Sequence, residues 1–314
     1  MSLMYTDMPL ERCSNQRSNK QWLNAQFSSD EARFCLIKDD EHLFTGNENV
    51  HPIWLKRSQL FQIGINSCIF LGKENNRAIF ALDSNKLNPA TLADITELGQ
   101  WLPLRKVTFS IEQADAAILG LAKALVYWHK TNLYCGKCAS LNQLVEAGHA
   151  RRCTNNLCHN MTFPRTDPAV IMLVERICDD GVPRCLLGRQ AIWPQGMYST
   201  LAGFVDPGES LEQAVCREVA EESGIEVTNV SYIRSQPWPF PASIMLGFTA
   251  QALSEKIDIS QDTLEDAQWF SREQLMQFKH RDDNTEEDSY KMSSTDSISY
   301  YLIDAWKNQR IGQF

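Results

Sequence analysis

The chain has 314 residues, 43% of them hydrophobic and 22% charged, which is typical of a soluble globular protein long enough for two domains of about 150 residues each. No apolar run approaches the roughly 18 residues of a transmembrane helix, so the composition argues against a membrane-spanning protein. The net charge of -9 disfavours non-specific attachment to nucleic acid or to an anionic membrane. A polyanionic substrate would need metal ions or local basic groups.

The first part of the chain predicts a small domain with several strands. Residues 1–30 form a polar N-terminal extension without the apolar core of a signal peptide, which favours a cytoplasmic protein and leaves the peroxisome and mitochondrion as alternatives. From Arg33 to Phe109, short apolar runs such as ARFCLI and AIFAL alternate with turn residues. Ser110 and Gln113 then have capping-box spacing, which predicts the start of the helix IEQADAAILGLAKALVYWHK.

After Pro164 the pattern changes to buried-strand runs. AVIMLVE and RCLLGR are followed by the loop WPQGMYSTLAG, a helix, and further strands around 230–233 and 244–250. A last helix is predicted from Ser297 to Asn308. This order of elements indicates a mixed sheet with helices on both sides.

Four of the ten cysteines have the spacing of a zinc site. Cys135-x-x-Cys138 and Cys153-x4-Cys158 are separated by fourteen residues, as in two knuckles of a tetrahedral site. His159 competes with Cys158 as the fourth ligand. A closed site of this kind is structural, so we expect it to hold a junction between domains rather than to activate water.

The helix at 211–223 has clear signals at both ends. Ser210 and Gln213 form a capping box at its start, and Gly224 ends it because glycine readily adopts the left-handed conformation. The apolar residues of this helix lie within one stripe roughly 80° wide. They are Leu211, Val215 and Val219.

Three glutamates lie at or near this stripe. Glu222 falls inside it, Glu218 lies at its edge, and Glu221 is a little further round. A solvated acidic face paired with Arg217 would account for Glu221 but not for the other two, whose partial burial is costly without a counter-charge. A hard divalent cation such as Mg²⁺ or Mn²⁺ would account for both.

Two stretches show a family resemblance. Gly203, five residues, Glu209, seven residues and then REVAEESGI match the Nudix box at every defined position. Residues 235–243, SQPWPFPAS, resemble the signature of the NADH pyrophosphatases of the NudC type. Those enzymes also have a four-cysteine zinc ribbon just before the catalytic domain. The sequence is therefore identified as a member of this subfamily.

The resemblance implies a Nudix fold, in which a mixed sheet lies between helices (α-β-α), preceded by an N-terminal Nudix-like α+β domain and an intervening zinc ribbon. The expected boundaries are 1–30 for the extension, 31–130 for the Nudix-like domain, 131–163 for the ribbon and 164–314 for the catalytic domain. It also implies a homodimer.

The resemblance also implies the metal ligands. Glu218 and Glu222 would bind two or three Mg²⁺ or Mn²⁺ ions together with the backbone carbonyl of Ala202. Glu221 would be a further metal ligand or a base, and Arg217 would orient the carboxylates. These four side chains are the expected catalytic residues.

The remaining residues of the box would shape the loop before the helix. Gly203 and Gly208 would let this loop approach closely, and Glu209 would tie it to the helix through Arg217. A purely structural ion pair of Glu209 and Arg217 is an equally good alternative to a direct catalytic part.

The proline-rich signature would present aromatic rings to a nicotinamide or adenine with little ordering cost. Core packing of the same rings is the alternative. The substrate-binding residues implied by the resemblance are Gln236, Pro237, Trp238, Pro239, Phe240, Pro241, Ala242 and Ser243, with Glu146, Phe163 and Ser299.

The sequence departs from the family pattern at two positions. Thr263 stands where the family usually has another metal-binding glutamate, six residues before Trp269. Asp262 or Glu265 would take its place through a small shift, although immediate neighbours along a strand point to opposite faces. Ser299 stands where relatives generally have alanine.

The expected activity is hydrolysis of the diphosphate of NADH or NAD⁺ to nicotinamide mononucleotide and AMP. The same site would remove an NAD cap from RNA, because the scissile bond is identical. The alternative is a catalytically weakened Nudix protein that binds NAD(H) as a sensor or scaffold, which the threonine at 263 motivates.

Overall fold

The computed structural model describes residues 3–46, 49–260, 263–281 and 289–314. These residues divide into two compact units. The N-terminal unit comprises Met4–Thr166 and Trp238–Ala242, and the C-terminal unit comprises Asp167–Pro237 and Ser243–Phe314 with Leu3. No helix in the described ranges is long and apolar enough to cross a bilayer.

The N-terminal unit is built on one mixed sheet. Its strands are β1 (Arg33–Lys38), β2 (Glu41–Phe44), β3 (Leu55–Lys56), β4 (Ile69–Glu74), β5 (Arg77–Asp83) and β6 (Gln100–Pro103). They lie in the order β4-β5-β1-β2-β6, with β3 paired to β1. The helices are α1 (Lys20–Phe27), α2 (Pro89–Thr96), α3 (Leu104–Val107) and α4 (Gln113–Thr131).

Strand β1 shows how this sheet separates two cores. Phe34 and Leu36 belong to the core that also contains residues of α1 and α2, whereas Cys35 and Ile37 belong to the core that contains α4. The alternation follows from the period of two along a strand. Helices therefore cover both faces of this sheet, and the predicted small domain with several strands is confirmed.

Three short strands follow α4 and carry the cysteine region. They are β7 (Asn142–Val145), β8 (Ala150–Cys153) and β9 (Met161–Thr162), in the order β7-β8-β9. These strands belong to the N-terminal unit. The predicted domain boundaries near residues 30, 130 and 163 stay predictions.

The C-terminal unit is built on a second mixed sheet. Its elements are β10 (Asp167–Ile177), β11 (Pro183–Gln190), β12 (Met197–Tyr198), β13 (Leu201–Phe204), α5 (Leu211–Ser223), β14 (Val227–Trp238), β15 (Ser243–Ala252), β16 (Leu264–Ser271), α6 (Arg272–Met276), β17 (Lys291–Met292) and α7 (Ile298–Lys307). The main sheet has the order β14-β15-β10-β11-β16, with β13 paired to β10. β10 runs parallel to β15 and antiparallel to β11 and β13.

Helices cover both faces of this sheet. On β10, Val170 and Met172 lie in the core shared with α5, and Ile171 and Leu173 lie in the core shared with α7. The predicted mixed sheet between helices is confirmed. It positions α5 against one face and next to β13.

The predicted start of α4 is wrong. The helix begins at Gln113, its N-cap is Glu112, and no side chain caps it. Ser110 instead ends a 3-10 turn that begins at Thr108, and Ile111 follows in extended conformation and is buried. Burial of that isoleucine moves the helix start past the residue that the local pattern favoured.

The predicted last helix is confirmed, and buried side chains hold both of its ends. Gln236 accepts a hydrogen bond from the backbone amide of Ile298 at 2.8 Å and donates to the carbonyl of Asp296 at 2.6 Å. At the other end, Trp306 donates its indole N–H to the buried carboxylate of Glu175 at 2.8 Å. Helix α7 is therefore fixed on the sheet face opposite α5.

Candidate active site

Helix α5 is held at both ends as the sequence predicts. The Ser210 hydroxyl accepts from the Gln213 amide, and the Gln213 side chain accepts from the Ser210 amide. Gly224 is left-handed with φ 69° and its amide bonds to the carbonyl of Ala220. Glu222 is only 9% exposed, so the prediction that it lies on the buried side is confirmed.

Gly203 on β13 is in direct contact with the carboxyl group of Glu218. A Cβ atom at position 203 would lie 1.9 Å from the carboxyl carbon and 2.0 and 2.1 Å from its two oxygens, a distance that non-bonded atoms do not tolerate. Only glycine leaves room for this carboxylate. The contact also places Glu218 beside the strand that carries Ala202.

Arg217 links the helix to the loop before it. Its Nε and one terminal nitrogen donate to the two oxygens of Glu209 at 2.6 and 2.9 Å, and that terminal nitrogen also donates to the carbonyl of Phe204 at 2.8 Å. The other terminal nitrogen donates to Glu218 at 2.8 Å and to Glu221 at 2.9 Å. One guanidinium therefore orients three carboxylates and the end of β13.

The electrostatics distinguish these carboxylates. Hydrogen bonds from Arg217 lower the pKa of Glu209 to about 2, so Glu209 is ionised at neutral pH. Burial raises the pKa of Glu218, and this effect is larger than the opposing effect of Arg217. The Glu218 carboxylate is therefore incompletely compensated, and a nearby cation would stabilise its charged form.

The four predicted cysteines form one cluster. Their sulfur atoms all lie within 4.8 Å of one another. Cys135 Sγ is 3.9 Å from Cys158 Sγ, and Cys138 Sγ is 3.4 Å from Cys153 Sγ. Zn–S bonds of about 2.3 Å place the sulfurs of a tetrahedron about 3.8 Å apart. The cluster therefore fits a structural zinc ion, with Cys158 rather than His159 in the fourth position.

The two cysteine loops are built alike. Backbone amides of Lys137 and Asn155 each donate to the first sulfur of their loop at 3.4 Å. The residue after the second cysteine of each loop, Ala139 or His159, has a positive φ. A hydrogen bond from the Ser140 amide lowers the pKa of Cys138 to about 6, which favours the thiolate form that zinc binds. The left-handed backbone at His159 therefore forms part of the turn after Cys158, as that at Ala139 does in the first loop.

Models of known protein families match residues in both units. A family model described as a NUDIX domain matches residues 166–292, and one described as an NADH pyrophosphatase-like rudimentary NUDIX domain matches residues 31–128. The human protein named NAD-capped RNA hydrolase NUDT12 is 30% identical, over 95% of this chain and 71% of its own length. The chain belongs to the Nudix hydrolase family.

Two further relatives extend this result. The Pseudomonas aeruginosa protein named NAD-capped RNA hydrolase NudC is 35% identical, over 88% of this chain and 87% of its own. The Arabidopsis thaliana protein named Nudix hydrolase 19, chloroplastic, is 38% identical, over 73% of this chain and 57% of its own. Both matches span most of this chain.

Nudix hydrolases use divalent metal ions, and the carboxylates of α5 suit such an ion in charge and donor type. Glu218, Glu221 and Glu222 supply hard oxygen donors, and Arg217 donates a hydrogen bond to both Glu218 and Glu221. Within the described ranges, only the cysteines bring three or more ligand atoms within 4.8 Å of one another. The carboxylates would have to draw closer around an ion.

The predicted substrate residues lie in both units. Two of those in the C-terminal unit, Gln236 and Ser299, have buried side chains. The Gln236 side chain is fully buried and bonded to the start of α7, so a contact with substrate would have to use its backbone. The Ser299 hydroxyl lies 2.8 Å from that of Ser199 and accepts from the Thr200 amide at 3.1 Å. Ser199 and Thr200 are not among the residues predicted from the sequence. The feature that could have indicated them is a pair of hydroxyl-bearing residues just before β13.

Pro237 and Ser243 also lie in the C-terminal unit, whereas Glu146, Phe163 and 238–242 lie in the N-terminal unit. The Phe163 ring is 61% exposed, as stacking on a base requires. The rings of Trp238 and Phe240 lie 5.2 Å apart, centroid to centroid, and pack against the core of the N-terminal unit.

Arg105 stacks over the Trp238 ring, 4.8 Å from its centroid. Tyr5 meets Trp238 and Phe240 edge-on. Both contacts come from residues far away in sequence, and no local motif marks them. The signature rings are therefore partly core residues, which supports the alternative considered for them.

The structure also bears on the departure at Thr263. Glu265 forms an ion pair with Arg189 across β11 and β16, and Asp266 accepts from the hydroxyl of Tyr198. Each of these bonds uses one carboxylate oxygen, and a carboxylate can accept such a bond and bind an ion at the same time. Asp262 lies outside the described residues.

Gly203→Ala should lower the rate of metal-dependent hydrolysis of a dinucleotide diphosphate linkage by roughly a hundredfold, because the methyl group displaces the Glu218 carboxylate by more than an ångström. Steady-state kinetics of the folded variant check this. Gly64→Ala is the control, since a Cβ there meets no atom within 4 Å. Full activity in the Gly203 variant would contradict the contact.

Cys158→Ser should reduce bound zinc from about one ion per chain to well below that, whereas His159→Gln should retain it. Metal analysis of protein purified without chelator measures both. Loss of zinc in the histidine variant with retention in the cysteine variant would reverse the assignment.

Proposed function

We propose that this Nudix hydrolase cleaves the diphosphate of NADH or NAD⁺ into nicotinamide mononucleotide, reduced or oxidised, and AMP. The reaction class rests on the contact between Gly203 and Glu218, which positions a half-buried carboxylate for cation binding. The substrate rests on the signature at 235–243 and on relatives named NAD-capped RNA hydrolases.

The chemistry needs a nucleophile and charge neutralisation. A water oxygen forms a bond to one phosphorus, and the bond from that phosphorus to the bridging oxygen breaks. The bridging oxygen leaves on the other phosphate, so the products are two monoesters and a proton is released. Glu221, which is the most exposed of the three helix carboxylates, would accept that proton or bind a further ion.

Mg²⁺ or Mn²⁺ is the proposed catalytic cofactor, held by Glu218, Glu222 and the carbonyl of Ala202. When bound, such ions neutralise phosphoryl oxygens and lower the pKa of a bound water. Arg217 acts on the reaction by holding Glu218 and Glu221 in place. Its bidentate bond to Glu209 fixes the loop, which gives the ion pair a positioning role.

The same bond occurs in an NAD cap, so capped RNA is a second proposed substrate. A preference for the RNA body would need a basic path, which the net charge of -9 does not favour. We further propose one structural zinc ion per chain, a homodimer, and a cytoplasmic location, with the peroxisome and mitochondrion as alternatives.

A second candidate function is NAD(H) binding without efficient turnover, as a sensor or scaffold. It is favoured by Thr263, which has no carboxylate where the family usually has a metal-binding glutamate. The Nudix box, which includes Arg217 and is complete, favours the catalytic function.

Glu222→Gln should lower the rate of AMP release from NADH by at least about a hundredfold, because it removes a buried metal-binding charge. Chromatographic separation of AMP and nicotinamide mononucleotide measures the rate. Glu212→Gln is the matched control, an exposed glutamate on the same helix, and should keep full activity.

The sensor alternative is separated by measuring NADH binding in the same preparations. Binding without AMP release by the wild-type protein, at any Mg²⁺ or Mn²⁺ concentration, would reject the enzyme. NAD-capped RNA, added as a competitor, then ranks the two substrates.

Thr263→Glu should lower the Mg²⁺ concentration that gives half-maximal activity by roughly tenfold. The new carboxylate, next to the start of β16, would add an oxygen ligand for the ion. Activity titrated against metal concentration measures the shift, with Thr263→Gln as the uncharged control. Identical curves for all three proteins would show that position 263 takes no part in metal binding.

A further inference from the structure

A cavity lies within the N-terminal unit, outside the part of the chain that contains the Nudix box. Its volume is about 490 Å³, within the range of roughly 300–1,000 Å³ of small-molecule sites. It lies among the end of β5, the C-terminal part of α4, and strands β7 and β8. No role in the proposed hydrolysis depends on it.

A buried cation, Arg151, lines this cavity. Arg151 is 9% exposed, donates from Nε to His129 Nδ1 at 2.9 Å, and donates from a terminal nitrogen to the carbonyl of Asn142 at 3.1 Å. Within the described part of the chain, no acidic side chain forms an ion pair with it. A buried charge of this kind is costly until an anion reaches it.

His129 does not supply that anion. Its Nε2 donates to the carbonyl of Gly148 at 2.8 Å, and its Nδ1 accepts from Arg151. Burial lowers the pKa of His129 to about 4, so the ring is neutral at physiological pH. The ring therefore orients the guanidinium without compensating its charge.

Two lysines add to the positive charge of the cavity. Lys86 is exposed and Lys130 is half-buried. The one carboxylate in the lining, Asp83, lies 3.7 Å from Lys130 Nζ. Three cations against one carboxylate, in a chain of net charge -9, indicate an anionic ligand.

Asn142 and an apolar wall define the rest of the ligand. Asn142 is 8% exposed, and its Nδ2 donates to the carbonyl of Asn132 at 3.2 Å. Its Oδ1 is buried and has no hydrogen-bond partner among the described residues, so the site calls for a donor such as a hydroxyl or an amine. Val126 and Leu144 provide apolar surface.

We propose that this cavity binds a phosphate monoester of mononucleotide size, separate from the Nudix box. The phosphate would meet the lysines and Arg151, the ring would lie on the apolar wall, and a ribose hydroxyl or exocyclic amine would donate to Asn142. The proposal holds whether or not the chain hydrolyses NADH.

The test uses the zinc-loaded full chain without added Mg²⁺, with AMP as the probe and inorganic phosphate and adenosine as partial probes. Hydrogen exchange maps which amides AMP protects, and calorimetry gives the affinities. The variant is Lys86→Gln with Lys130→Gln. The control, Lys20→Gln with Lys106→Gln, removes the same charge from exposed positions outside the cavity.

AMP should protect residues 126–133 and 142–151, and the cavity variant should bind it about tenfold or more weakly than the control does. Phosphate and adenosine should each bind more weakly than AMP. Protection confined to α5 and β13, or equal AMP affinity in both double variants, would overturn the proposal. Equal affinity for phosphate and AMP would also overturn it, because the site would then bind only a free anion.

Discussion

The contact of Glu218 with Gly203 is the constraint on which the candidate site depends. It requires α5 to lie close enough to β13 for a carboxylate to occupy the place of a missing side chain. The capping box at Ser210 and the left-handed Gly224 set the length of the helix. Arg217 then uses the same proximity to bond the helix, the loop and the end of the strand at once. The core between α5 and the sheet holds the helix at this distance from β13.

Local signals predicted much of the molecule. The limits of α5 and α7, the alternation in the strands and the cysteine pairs all follow from short-range physics, and the structure agrees with them. The start of α4 was mispredicted because burial of Ile111 outweighed a capping pattern. The choice between Cys158 and His159 needed the positions of the sulfur atoms, since spacing alone allowed both.

The rest could not be read from sequence because it depends on contacts between distant residues. Gln236 belongs to a signature that suggests substrate binding, yet its side chain forms hydrogen bonds with the backbone at the start of α7. Arg105 reaches Trp238 from a different part of the chain. The family pattern indicates which positions matter, whereas the structure shows whether a side chain acts on the ligand or on its supports.

The hydroxyl of Ser299 joins those of Ser199 and Thr200 just before β13. The three side chains are buried, so their hydroxyls depend on one another for hydrogen bonds. Removal of one hydroxyl therefore leaves the other two with fewer hydrogen-bond partners in a buried place, which is costly. The effects of substitutions at these three positions on stability should therefore not be additive, and alanine at 299 should be tolerated better when the neighbouring hydroxyls are also removed.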